Sequence, residues 1–100
     1  MVVYEVNLEV EPAIWERYQA WLQEHIKEML QFDGFERAAL FKEQEKPGHH
    51  LVVHYEVQSM DALQDYLDHH AATVRADGEK HFNGQFKASR RILAQLTKLS

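Results

Sequence analysis

The sequence predicts an α+β domain in which a four-stranded antiparallel sheet carries two helices on one face. Three observations predict it. Residues 2–10 alternate apolar and polar with period two. Residues 13–32 repeat apolar positions with a period near 3.6. A hairpin pattern followed by a second helical stripe then fills residues 35–78. The 100 residues make a single domain, 1–100, large enough for one modest core. A content of 45% hydrophobic and 27% charged residues is that of a folded domain rather than a disordered chain.

In the first strand, Val2, Tyr4, Val6, Leu8 and Val10 point one way, and Glu5, Asn7 and Glu9 the other. Glu11-Pro12 changes the pattern, since proline suits a first helical turn where its missing N–H would be unpaired anyway. From Ala13 to Phe32, Ile14, Trp15, Tyr18, Trp21, Leu22, Ile26, Met29 and Leu30 mark a long amphipathic helix, ended by Asp33-Gly34. Phe35 to Glu43 reads as the second strand, with Phe35, Ala39 and Phe41 on one face. Residues 44–48 are a polar turn, and Leu51 to Val57 is the third strand, so the two form a hairpin. Ser59 is a good N-cap for a second helix whose stripe is Met60, Leu63, Leu67, His70, Ala71 and Val74, and which stops near Gly78. Residues 79–85 read as an aromatic-bearing loop.

Residues 87–99 fit either period. A helix would accept Ile92, Leu93, Leu96 and Leu99, whereas a strand puts Phe86, Ala88, Ile92, Ala94 and Leu96 on one face, interrupted by Arg90. The strand is preferred because a fourth strand protects the first from standing as a long unpaired edge. The result is βαββαβ, the ferredoxin-like arrangement, with expected strand order 4-1-3-2.

The helices should cover the face that bears Tyr4, Val6, Leu8, Val53 and Tyr55. The opposite face is expected to carry Val3, Glu5, Asn7, Glu9, Val52, His54 and Glu56, with Ala38, Leu40, Arg91 and Leu93 beside them. This mixture is too charged for a dry core and too apolar for an ordinary solvated face. Such a face suits packing against its own copy, giving a homodimer whose two sheets close around a partly polar interior.

The opening V-V-Y-E-V-N-L at 2–8, the W-L at 21–22 and the ending F-N-G-Q-F-K-A-S-R-R-I-L at 82–93 resemble a small bacterial family of unknown function, assigned to the dimeric α/β-barrel group. The resemblance implies that fold and a homodimer over nearly the whole chain. The wider group is similar in fold to antibiotic-biosynthesis monooxygenases, haem-degrading monooxygenases and muconolactone isomerase-type enzymes. No catalytic motif of these is present here, and fold alone does not transfer function.

The candidate ligand-binding residues are Glu5, Asn7, His54, Glu56 and Arg91, which the expected strand order gathers on one patch. A histidine among carboxylates can serve as a general base; the plainer reading of the same set is a hydrogen-bonded network that fixes dimer register, or simply a solvated face. One histidine with two carboxylates is a weak metal set, and none of the seven histidines falls in a recognised zinc spacing, so no metal and no cofactor is expected. His49-His50 reads as a solvated turn, and His25 and His70 as packing histidines. His69, Arg75, His81 and Phe82 either rim a pocket mouth or decorate an ordinary loop. The aromatics Trp15, Tyr18, Trp21 and Tyr66 read as core or interface.

Cysteine is absent, which excludes disulfides and thiolate chemistry. Eleven basic against sixteen acidic residues give a net charge of −5, against nucleic-acid binding. No apolar run approaches the about 20 residues needed to span a bilayer. The expectation is a cytoplasmic homodimer binding a small molecule in the barrel interior; the alternative is a cofactor-independent monooxygenase or isomerase.

Overall fold

The computed structural model describes residues 1–100. Strand β1 (Val2–Val10) leads through a single 3₁₀ turn at Pro12–Ile14 into helix α1 (Trp15–Met29). Strands β2 (Phe35–Lys42) and β3 (His50–Val57) form the hairpin. Helices α2 (Met60–His69) and α3 (Ala71–Phe82) follow, and strand β4 (Phe86–Ala94) closes the sheet. The strand order is β2-β3-β1-β4 with every pair antiparallel, as the sequence predicts. No helix is long and apolar enough to cross a membrane.

Alternation on β1 and β3 sorts the core. Val2, Tyr4, Val6, Leu8 and Val10 on β1, with Leu51, Val53, Tyr55 and Val57 on β3, are all buried beneath the helices. Ile14, Tyr18, Leu22 and Met29 from the first helical segment meet them, as do Leu63 and Tyr66 from α2. Gly34, at φ +84°, turns the chain from α1 into β2, and a Cβ there would lie 2.5 Å from the Ala62 Cβ. Its carbonyl accepts from the Gln58 N–H at 2.8 Å, tying the turn to the start of α2. Ser59 caps α2, its Oγ accepting from the Ala62 N–H at 3.1 Å.

Four details differ from the sequence reading. The second helical stripe is two helices, because His70 leaves the helical region at φ −128° while hydrogen bonds from its N–H to Tyr66 and from Val74 to its carbonyl carry the chain across the break. Residues 79–82, expected in a loop, complete α3. The fourth strand ends at Ala94, opposite Val2; one further bond, from the Gln95 N–H to the Met1 carbonyl at 3.2 Å, follows it, and residues 95–100 have no regular structure. A register shift between Phe35 and Arg37 reverses the face of the rest of β2. Ala38 and Leu40 therefore pack on the helix side, not on the open face, and Ala39 and Phe41 stand opposite His54 and Val52 there.

Candidate functional site

Neighbouring strands set Ala39, His54, Glu5 and Arg91 in one row across the open face. Glu5 stands in the middle of the row and is the one buried charged residue of the chain, 6% exposed. Its carboxylate is filled by donors. Asn7 Nδ2 donates to Oε2 at 2.9 Å, and His54 Nε2 lies 2.8 Å from Oε1. The Arg91 guanidinium donates from Nε to Oε2 and from its terminal nitrogen to Oε1 at 3.4 Å. The Arg91 bond above all, then the Asn7 bond, hold the Glu5 carboxyl at about 2 against the opposing effect of burial. An ionised carboxylate with its lone pairs occupied is a poor proton acceptor. Its chemistry here is that of an anchor.

Four of the five predicted residues thus share one network. Glu56 lies one row away and pairs instead with Arg37, which donates at 3.1 and 3.3 Å. Apolar side chains flank the network: Phe41 is 49% exposed, with its ring 5.4 Å from His54, and Leu93 is 37% exposed. A polar groove bordered by Asn7, Glu9, His50, Lys87 and Ser89 runs along one end of this face.

The main apolar cavity lies on the other side of the sheet. It measures about 280 Å³, and 13 of its 18 lining residues are hydrophobic, as expected of a small-molecule pocket. Tyr4, Val6, Val53 and Tyr55 form its floor, Trp21 and His25 one wall, and Arg75, Gly78 and Glu79 of α3 another. Phe86 and Arg90 come from β4. Burial pushes the Tyr66 phenol up to about 12 and raises Tyr18 and Tyr55 as well, so these phenols are protonated donors. Burial lowers His25, whose ring stacks on Trp21 at 4.7 Å and 9°, and keeps it neutral. Arg75 donates to the Tyr4 hydroxyl at 3.1 Å.

Sequence reasoning left Arg75 open as a rim residue and read His25 as packing. It did not identify the cavity. The signal it recorded was Arg90, which breaks an otherwise apolar period-two face. His49, expected in solvent, packs its ring 4.4 Å from Trp15. Nowhere do three metal-ligating side chains converge.

The fold is shared with several solved structures. The heme-degrader MhuD from Mycobacterium tuberculosis, with two hemes bound in its active site, superposes with a TM-score of 0.73 at 16% identity, covering 100% of both chains. A structure of SnoaB, a cofactor-independent oxygenase from Streptomyces nogalater, gives 0.71 at 14% identity, covering 98% of this chain and 96% of that one. A Deinococcus radiodurans protein classed with the antibiotic biosynthesis monooxygenases gives 0.71 at 18%, covering 100% and 99%. At these identities the likeness is one of ferredoxin-like fold. No curated protein sequence matches the chain. The model of a domain of unknown function, DUF4286, matches residues 1–96, and the chain belongs to that family.

Proposed function

We propose that the protein is a homodimer that binds a small organic molecule in the cavity between its sheet and its helices. The observation that carries the ligand reading is that cavity: about 280 Å³, largely aromatic, with a few polar groups converging on it. Its volume lies just below the usual range of ligand pockets, about 300 to 1,000 Å³, and suits one or two rings. The open face supplies the dimer contact. There the Glu5–Asn7–His54–Arg91 network stands among exposed Phe41 and Leu93, and it fixes the register in which a second copy docks.

An NMR titration with neutral bicyclic fragments tests the ligand reading, followed at the indole N–H of Trp21. Saturable shifts of that resonance are expected, and Ala88→Leu, which fills the cavity from β4, should abolish them. Shifts that persist in the filled variant would overturn it. Light scattering tests the assembly: a monomer at micromolar concentration would remove the dimer.

A second reading is a cofactor-independent monooxygenase or isomerase. Neutral His25 in the cavity wall favours it, since an unprotonated imidazole beside a bound ring can take a proton from it. Its test is oxygen uptake with phenolic substrates, which His25→Ala should eliminate while ligand binding persists.

A further inference from the structure

The chain has five arginines, and three have partners. Arg37 is bonded to Glu56, Arg91 to Glu5, and Arg17 lies over the Phe82 ring at 5.4 Å. The other two, Arg75 and Arg90, make no ion pair and stack on no ring. Both line the helix-side cavity, one from α3 and one from β4. Arg75 is steadied by the Tyr4 hydroxyl, which accepts one of its N–H groups and leaves the rest of the fork free. Tyr66 and both guanidiniums line the one cavity.

The cavity wall contains one carboxylate, Glu79, which accepts from the Gly84 N–H at 3.3 Å. With His25 neutral, two guanidiniums and one carboxylate leave the cavity one positive charge in excess. A guanidinium fork matches a carboxylate in shape and hydrogen bonding, and both arginines are exposed where they line the cavity, so their free N–H groups are accessible to a ligand's charged end.

On the reading that this cavity is the ligand site, we propose that it takes an aromatic monocarboxylate, with the carboxylate held between Arg75 and Arg90 and the rings among Trp21, Tyr66 and Phe86. The single excess charge favours a monoanion over a dianion. The bland alternative, two solvated surface arginines at the lip of a packing defect, leaves the cavity indifferent to ligand charge.

Calorimetric titration of the intact protein with 1-naphthoate, its neutral amide 1-naphthamide and the dianion 1-naphthyl phosphate separates these cases. The expected result is that naphthoate binds at least about tenfold more tightly than the amide and more tightly than the phosphate. Arg90→Gln should abolish the preference of acid over amide by weakening the acid far more than the amide, and Arg90→Lys should restore part of it. Because Arg90 has no partner in the fold, its replacement leaves the core intact, which an unchanged melting temperature verifies. Equal binding of acid and amide would overturn the carboxylate assignment and leave the cavity reading standing. Tighter binding of the phosphate would overturn the monoanion. Failure of all three probes to bind would overturn the cavity reading beneath it.

Discussion

Arg90 and Arg91 are adjacent on β4 and meet opposite fates. Strand alternation sends Arg91 to the open face, beside Glu5, and Arg90 to the helix-covered face, opposite Val6. On the open face the charge is answered within the chain, by a carboxylate that four donor contacts hold ionised. On the covered face the surroundings are mostly tyrosine, tryptophan and valine, and the one carboxylate of the cavity wall, Glu79, makes no ion pair with Arg90. The side that looks polar in the sequence has already satisfied itself, while the side that looks like core carries two arginines that no ion pair within the chain neutralises, beside a cavity. Functional potential lies where polar groups lack partners, not where they are most numerous.

Breaking the covered side should have the largest effect on folding. Leu63 is 0% exposed beneath α2, and Leu63→Ala should cost about 2–5 kcal/mol by leaving a void, read as a lower denaturant midpoint. Gly34→Ala should cost at least about 1–3 kcal/mol, since it forces a side chain into a left-handed backbone position and drives its methyl onto Ala62. On the open side, Phe41→Asp should leave the fold intact and act on assembly instead. If this face is the subunit contact proposed above, the melting temperature of the wild type should rise with protein concentration, and that of the variant should not. A concentration-independent wild-type melt would show that this face is not a subunit contact.

The two sides were unequally legible in the sequence. Period two on β1 and β3 sufficed to sort buried from open residues, because both strands run without irregularity through eight or nine residues. The same logic failed on β2, where one extra residue after Phe35 moved Ala38 and Leu40 across the sheet. The helix break at His70 left no trace, since the apolar stripe through Leu67, His70, Ala71 and Val74 continues across it. Glu5, Asn7, His54 and Arg91 could be grouped because strand order and alternation together define a row. Glu56 was grouped with them, but its partner Arg37 sits on the strand whose register was misread. The cavity is a volume left between three helices and a sheet, and no periodicity encodes a volume; Arg90, a charge at an apolar position, and Arg75, open as a rim residue, were its marks in the sequence.

Glu5 sharpens the contrast at an intermediate scale. Glu5→Gln should cost about 1–3 kcal/mol at pH 7, because Arg91 and His54 lose an ionised acceptor and one of them meets an amide donor. The sign of its pH dependence follows from the depressed carboxyl. The unfolded chain protonates near 4.5 and the folded one at about 2, so the contribution is fully present above 4.5 and lost as pH falls through 2. The gap between wild type and variant in thermal melts should close progressively as pH falls from about 4.5 toward about 2. A gap that stays open at pH 2 would mean that shape, rather than charge, sustains the row.

Gly78 gives the smallest effect and the only gain. It lies inside α3 with no positive φ, so its backbone asks nothing that alanine cannot adopt. A Cβ there would meet Trp21 Cη2 at 3.4 Å and Phe86 Cζ at 3.5 Å, which is ordinary contact rather than a clash. Gly78→Ala should therefore stabilise the protein by up to about 1 kcal/mol through helix propensity and a less disordered unfolded chain. For a chain of this length that corresponds to a rise in Tm of about 4–8 °C. The new methyl would stand in the cavity wall, between the aromatic rings and the helix that carries Arg75. The stability gain should then come with weaker binding of aromatic ligands, by no more than a few-fold if Trp21 and Phe86 yield. A loss of stability in place of the gain would show that the two rings are held too firmly to move. The open volume would then be a rigid feature of the covered face, which its neighbours could not close.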